Sequence, residues 1–130
     1  MKITRFEDLD CWKEARLLTR QVYEAIEQNP RWQKEFRFCG KIQSAVGSVM
    51  ANIAEGLVRR FNKEFVQFLF IGMSSCAKVQ SHLYIALDQG YLSKDSFESI
   101  YGQAGRTSRI ISGFIKYLRT KQAKPTKQAR

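Results

Sequence analysis

The stretch from Lys41 to Gly56, KIQSAVGSVMANIAEG, constrains this chain more than any other. Ile42, Ala45, Val46, Val49 and Ile53 recur at the i, i+3, i+4, i+7 spacing of an amphipathic helix. The other faces of that helix are small. Gly47, Ala51 and Ala54 form one ridge, and Ser44, Ser48, Asn52 and Glu55 form a polar one. A helix that met only water there would carry Lys, Glu and Gln. Gly47 would then cost about 1 kcal/mol against Ala with nothing gained. The stretch is therefore expected to be a central helix with neighbours on more than one side; small, helix-tolerant residues facing water are the alternative.

With 130 residues the chain makes one domain, long enough to bury roughly two-thirds of its unfolded surface. Its three cysteines, Cys11, Cys39 and Cys76, form no C-x-x-C pair, which points to reduced thiols and a cytoplasmic location. No leader-like apolar run opens the sequence, and no run reaches the roughly 18 apolar residues of a membrane span. A net charge of +10 predicts a polyanionic partner, nucleic acid ahead of an acidic membrane surface. A merely soluble basic protein is the other reading.

Taken in order, Asp8 is expected to cap a first helix whose inner face holds Trp12, Ala15, Thr19, Val22, Tyr23 and Ile26. Asn29-Pro30 ends it, because proline disfavours α geometry in the preceding residue. The segment RWQKEFRF is expected to be a loop or short turn before the central helix. Asn62 then caps a third helix with two apolar stripes. Phe61, Phe65, Phe68, Leu69, Gly72, Cys76, Val79, Leu83 and Leu87 form the first. Val66, Phe70, Met73, Ala77 and Tyr84 form a second, displaced by about 110°. The second stripe must meet something, either another copy of the protein or an unusually wide core. Gly90 ends this helix, and Ser93 caps a fourth with Phe97, Ile100, Ala104, Ile111, Ile115 and Leu118 inside. Gly102, Gly105 and Gly113 weaken it or mark close contacts. Residues 119–130 read as a disordered basic tail. Nothing alternates with the period of a strand, so residues 1–118 are expected to form an all-α, antiparallel up-down four-helix bundle.

Catalysis has little to work with. His82 is the one histidine, and no carboxylate stands on its helix face to orient it. There is no Glu-x-x-His pair, zinc spacing or phosphate-binding glycine loop. A non-enzyme with no catalytic residue, metal or cofactor is expected. Glu55 is expected in a buried hydrogen-bond network, with Lys78 as a candidate partner.

The basic residues carry more information. From Arg106 to Arg130 there are eight basic residues and no acidic one. Arg106, Arg109 and Lys116 fall within about 80° of one another on the fourth helix, and Arg119, Lys121 and Lys124 continue beyond it. Arg59, Arg60 and Lys63 form a second cluster. Such clusters follow phosphates without reading sequence. No aromatic is interleaved in the tail, which argues against base stacking there.

Four segments, FEDLDCWKEA, SVMANIAEG, KEFVQFLFIGMSS and LYIALDQGYLS, occur in an order and spacing that resembles the S23 four-helix-bundle family, whose members are often encoded by intervening sequences in bacterial 23S ribosomal RNA genes. The resemblance spans Phe6 to about Leu118. It implies a ring-like homopentamer and a likeness to the accessory variability determinant of diversity-generating retroelements, a basic pentamer that binds a reverse transcriptase and nucleic acid. It also implies that Ser48, Asn52, Ala54, Glu55 and Gly56 are structural. The chain departs from the family at Gly40 and Ser44, where Gln and Arg are usual, and at Lys78, where an acid is usual. The expected function is a non-enzymatic, oligomeric nucleic-acid-binding bundle, with RNA ahead of DNA, a reverse transcriptase as a candidate partner and no membrane. Its rival is a protein-interaction scaffold with no direct nucleic-acid role.

Overall fold

The computed structural model describes residues 3–59 and 62–128, with side chains described as far as Lys121. Arg60 and Phe61 lie outside the described residues, as do the side chains of Lys124, Lys127 and Arg130. All regular structure among the described residues is helical: α1 Asp10–Glu27, α2 Pro30–Gln33, α3 Phe36–Arg59, α4 Asn62–Asp88 and α5 Lys94–Gln128, after a 3₁₀ turn at Phe6–Asp8.

The helix ends correct the sequence reading in three places. Asp8 lies in the 3₁₀ turn, and Leu9 holds the N-cap position of α1 with no side-chain cap bond. Leu9 is buried, so packing of an apolar side chain sets that start. Asn29 and Pro30 do end α1, but they also begin α2. The Asn29 side-chain oxygen accepts from the amides of Arg31 and Trp32 at 3.0 and 3.1 Å, with Pro30 at the first helical position. The central helix, α3, begins at Phe36 and takes in the last three residues of the expected loop, while α2 takes in its first three. The end of α4 follows expectation. Gly90 adopts φ +77°, the Gly90 amide donates to Leu87 O at 3.0 Å and the Tyr91 amide to Ala86 O at 2.8 Å. This is a Schellman stop, and it requires a residue at ease with positive φ. Ser93 caps α5 by accepting from the Ser96 amide at 3.1 Å.

The four long helices form an all-α helical bundle, in which α1 and α4 each pack against both α3 and α5. The central stripe of Ile42, Ala45, Val46, Val49 and Ile53 is buried. So are Phe65, Leu69, Cys76, Val79 and Leu83 of α4, and the whole expected inner face of α5. On α1, Leu18 is buried where Tyr23 was expected, and Tyr23 is exposed. The core has two parts. One gathers Leu18, Val22, Val46, Leu83 and Ala104, and is closed by Trp32 stacked on Tyr91 at 5.8 Å and 12°. The other gathers Cys11, Val49, Ile53, Leu69 and Ile111.

The second stripe of α4 divides. Val66 joins the core and Met73 is half-buried, but Phe70 is 43% exposed and Tyr84 50%. Leu118 is the last buried residue whose side chain is described, and the backbone of α5 continues helical past it to Gln128.

Candidate nucleic-acid interface

The two basic clusters, read separately in the sequence, meet at one end of the bundle. Asn62 at the start of α4 donates from its side-chain amide to Leu118 O of α5 at 3.5 Å. That contact brings the start of α4, with Lys63, alongside the stretch of α5 that carries Lys116, Arg119 and Lys121. Arg59 is on the same end, as the last residue of α3. Lys63, Lys116, Arg119 and Lys121 are exposed, and no ion pair among the described residues reaches them. Arg109 is also exposed and unpaired, about 14 Å back along α5. Gly102 and Gly113 have open space where a Cβ would stand, so they do not mark close contacts within the chain. Gly105 lies near Gln80 and Arg109.

Two expected phosphate ligands are engaged by the protein's own acids. Arg106 Nε donates to Glu14 Oε1 at 3.2 Å, and Gln103 Nε2 donates to the same oxygen at 2.8 Å. The Gln103 bond, then that of Arg106, holds the Glu14 carboxyl below its ordinary range against a desolvation penalty. Arg59 sits 3.4 Å from Glu55, one helical turn away, and both are well exposed. An exposed pair of this kind is worth little and breaks easily.

Aromatic rings stand next to the cations, only part of which could be seen in the sequence. The Arg119 guanidinium lies 5.2 Å from the centre of the Phe70 ring, and Lys121 Nζ lies 5.9 Å from that of Tyr117. Arg59 lies over Phe68 at 5.1 Å. The Tyr117–Lys121 spacing of four was visible in the sequence. The Phe70–Arg119 pair joins two helices and was not.

The SVMANIAEG segment does structural work. Ser48 Oγ and Ser75 Oγ are 2.8 Å apart, and Asn52 Nδ2 donates to Ser48 Oγ at 3.0 Å and Ser48 O at 2.8 Å. Gly56 is buried against Phe65 and Phe68, and Ala54 is half-buried. Glu55 is exposed outside this network, and its partner is Arg59; Lys78 lines the α3–α4 groove instead. His82 has no carboxylate hydrogen bond, and burial first, then Lys41 and Lys78, push its pKa down. The three cysteines are buried and free, and burial drives the Cys11 and Cys76 thiols up to about 12. No group of His, Cys, Asp and Glu side chains among the described residues is arranged to hold a metal ion. No helix among them is long and apolar enough to cross a membrane.

Comparison with known proteins gives two findings. Residues 7–113 match a family described as 23S rRNA-intervening sequence protein. A crystal structure of a protein of unknown function from the S23 ribosomal protein family of Bacteroides thetaiotaomicron superposes with a TM-score of 0.72 at 19% identity, covering 82% of this chain and 98% of that one. No curated protein matches the sequence.

Proposed function

The chain belongs to the 23S rRNA-intervening sequence protein family, and from that premise we propose that it is a non-enzymatic, basic nucleic-acid-binding bundle that works as a homo-oligomer. The bundle is of the antiparallel up-down kind. Contacts on α3–α4 (Ser48 with Ser75, Gly56 with Phe65) and on α4–α5 (Tyr84 with Phe97, Phe65 with Phe114) support this, since numbers rise on one helix as they fall on the other. The half-exposed Phe70 and Tyr84 supply the contact between copies, and a ring, a pentamer first, repeats the cationic end around an axis. Repetition raises avidity without any new contact.

The observation that carries the reading is the convergence of Lys63, Lys116, Arg119 and Lys121 at one end, where no ion pair among the described residues engages them. Phosphates are the ligand that several unpaired, solvated cations with no shared recognition geometry suit best. RNA is the first candidate and DNA the second, and an accessory role beside a reverse transcriptase fits the same surface. The test is fluorescence anisotropy with a labelled single-stranded RNA across a salt series. Log affinity falls with log salt by about 0.7 per phosphate contacted. Replacing Lys116 and Arg119 by Ala lowers that slope by about 1.4. An affinity independent of salt refutes the reading.

The exposed apolar part of α4 favours one rival, a scaffold that docks another protein on Phe70 and Tyr84. Truncation at Arg119 separates the two. It weakens RNA binding under the first reading and leaves partner binding intact under the second.

A further inference from the structure

A groove of about 650 Å³ runs between α3 and α4, well within the range of small-ligand sites. It is lined by Arg37, Lys41, Lys78 and His82, by the serines 44, 48 and 75, and by Phe36. None of the cations on the α5 end contributes to it. No carboxylate lines it, and no ion pair among the described residues involves Arg37, Lys41 or Lys78. Glu35 lines the adjoining cavity, which shares Arg37, Lys41 and His82 with the groove, and there its carboxylate accepts from the Tyr91 hydroxyl at 3.1 Å.

Three features of the groove point to an anionic ligand. The first is charge: Lys41 and Lys78 both bear on His82 and depress its pKa after burial has done so, so the cations act on a common volume. The second is hydrogen bonding. Asn52 donates to Ser48 Oγ, and Ser48 can pass its own proton to Ser75, which leaves the Ser75 hydroxyl as a donor for an acceptor in the groove. His82 Nδ1 is buried with no partner. The third is position: Phe36 and Arg37, in the first turn of α3 at the positive end of its dipole, both line the groove. At the mouth stands Phe36, 82% exposed, where an aromatic side chain gains nothing from the fold.

We propose that the α3–α4 groove is a nucleotide site, in which Lys41, Lys78 and Arg37 hold a phosphate monoester and the base stacks on Phe36. Lysine and arginine give a phosphate dianion short, charge-assisted hydrogen bonds, and the serine hydroxyls add neutral ones. Stacking of a base on an aromatic face is tolerant of base identity. The phosphate monoester can belong to a free nucleotide or to the 5′ end of a strand, and both present the same group.

His82 is the one histidine of the chain, so its imidazole resonance reports on the groove without assignment ambiguity. Adenosine 5′-monophosphate is titrated into the full-length protein at fixed ionic strength. A saturable shift of the His82 signal is expected, with its titration moved to higher pH as the anion offsets the two lysines. Lys41→Ala with Lys78→Ala weakens binding at least tenfold, and Phe36→Ala weakens it about fivefold; all three residues are exposed, and unchanged circular dichroism confirms folding. Adenosine gives no saturable shift. Inorganic phosphate that bound as tightly as the nucleotide would leave Phe36 without a role and overturn the assignment. So would equal binding by the lysine variant, or no saturation at 10 mM nucleotide, roughly the weakest useful affinity. Competition by a 5′-phosphorylated trinucleotide, but not its 5′-hydroxyl counterpart, assigns the strand end as the source; no competition by either assigns the free nucleotide. Lys116→Ala with Arg119→Ala leaves nucleotide binding unchanged, so this site and the α5 surface stand or fall separately.

Discussion

Replacing Gly56 by alanine should destabilise the protein, although helix propensity favours the change. A Cβ at position 56 would lie 2.6 Å from Phe65 Cδ1, 3.1 Å from Phe65 Cε1 and 3.0 Å from Phe68 Cβ. The Phe65 ring cannot simply step aside, because it is buried and meets Phe114 edge to face at 5.3 Å. The Phe68 Cβ moves only with the backbone of α4. The contact therefore forces α3 and α4 apart, at the upper end of the roughly 1–3 kcal/mol that overpacking costs. Alanine's propensity returns about 1 kcal/mol. The net is a loss of about 1–2 kcal/mol. Gly113→Ala makes the same chemical change on the outside of α5, where nothing lies within 4 Å of the new carbon, and should gain up to about 1 kcal/mol. The two variants should therefore differ by about 2–3 kcal/mol with opposite signs. Urea unfolding followed by circular dichroism at matched protein concentration reads this directly; a urea m-value of about 2 kcal/mol/M places the midpoints some 1–1.5 M apart. If Gly56→Ala is as stable as Gly113→Ala, the close approach of α3 and α4 at this point is wrong.

Two further predictions concern charge and protons. Glu14→Gln removes the acid that engages Arg106, so RNA binding should tighten and its salt slope steepen by up to about 0.7; an unchanged slope in anisotropy would place Arg106 outside the interface. The same carboxyl, held below its ordinary value of 4.5, stabilises the fold above that value, and the benefit is lost as pH falls through its lowered pKa, so the variant should show a shallower acid limb. Cys11 and Cys76, raised from 9.0 to about 12, work in the other direction. Their unfolded thiols ionise first, so the thiols' contribution to stability should be constant below pH 9 and fall between about 9 and 12. At pH 8 both should resist a thiol reagent until urea opens the fold, and rapid native labelling would show that they are not buried as described.

The sequence disclosed what depends on one helix at a time. The stripe of α3, the first stripe of α4 and the inner face of α5 are periodic patterns, and burial follows them closely. The Gly90 stop and the Ser93 cap are local chemistry and were equally legible. What escaped depends on two helices at once. Glu55 shares a ridge with Ser48 and Asn52 on paper, yet its neighbour in space is Arg59, while Ser48 found Ser75, 27 positions away. Gln103 reaches Glu14 across 89 positions and ties up Arg106, which no reading of α5 alone could reveal. The early start of α3 was missed because Phe36 and Gly40 are exposed and mark no face. Tyr23 and Leu18 lie at opposite edges of the α1 stripe, about 140° apart, and the core centres on the Leu18 side.

The sealed stack of Trp32 on Tyr91 gives the molecule an optical asymmetry. Only two indoles are present, and they occupy opposite halves. Trp32 is fully enclosed among apolar groups and should emit at short wavelength. Trp12, half-buried beneath the Arg16 guanidinium at 5.9 Å, touches water and should emit further to the red. Loosening that starts at one end will therefore change one colour before the other, and a single emission spectrum can tell which half opens first.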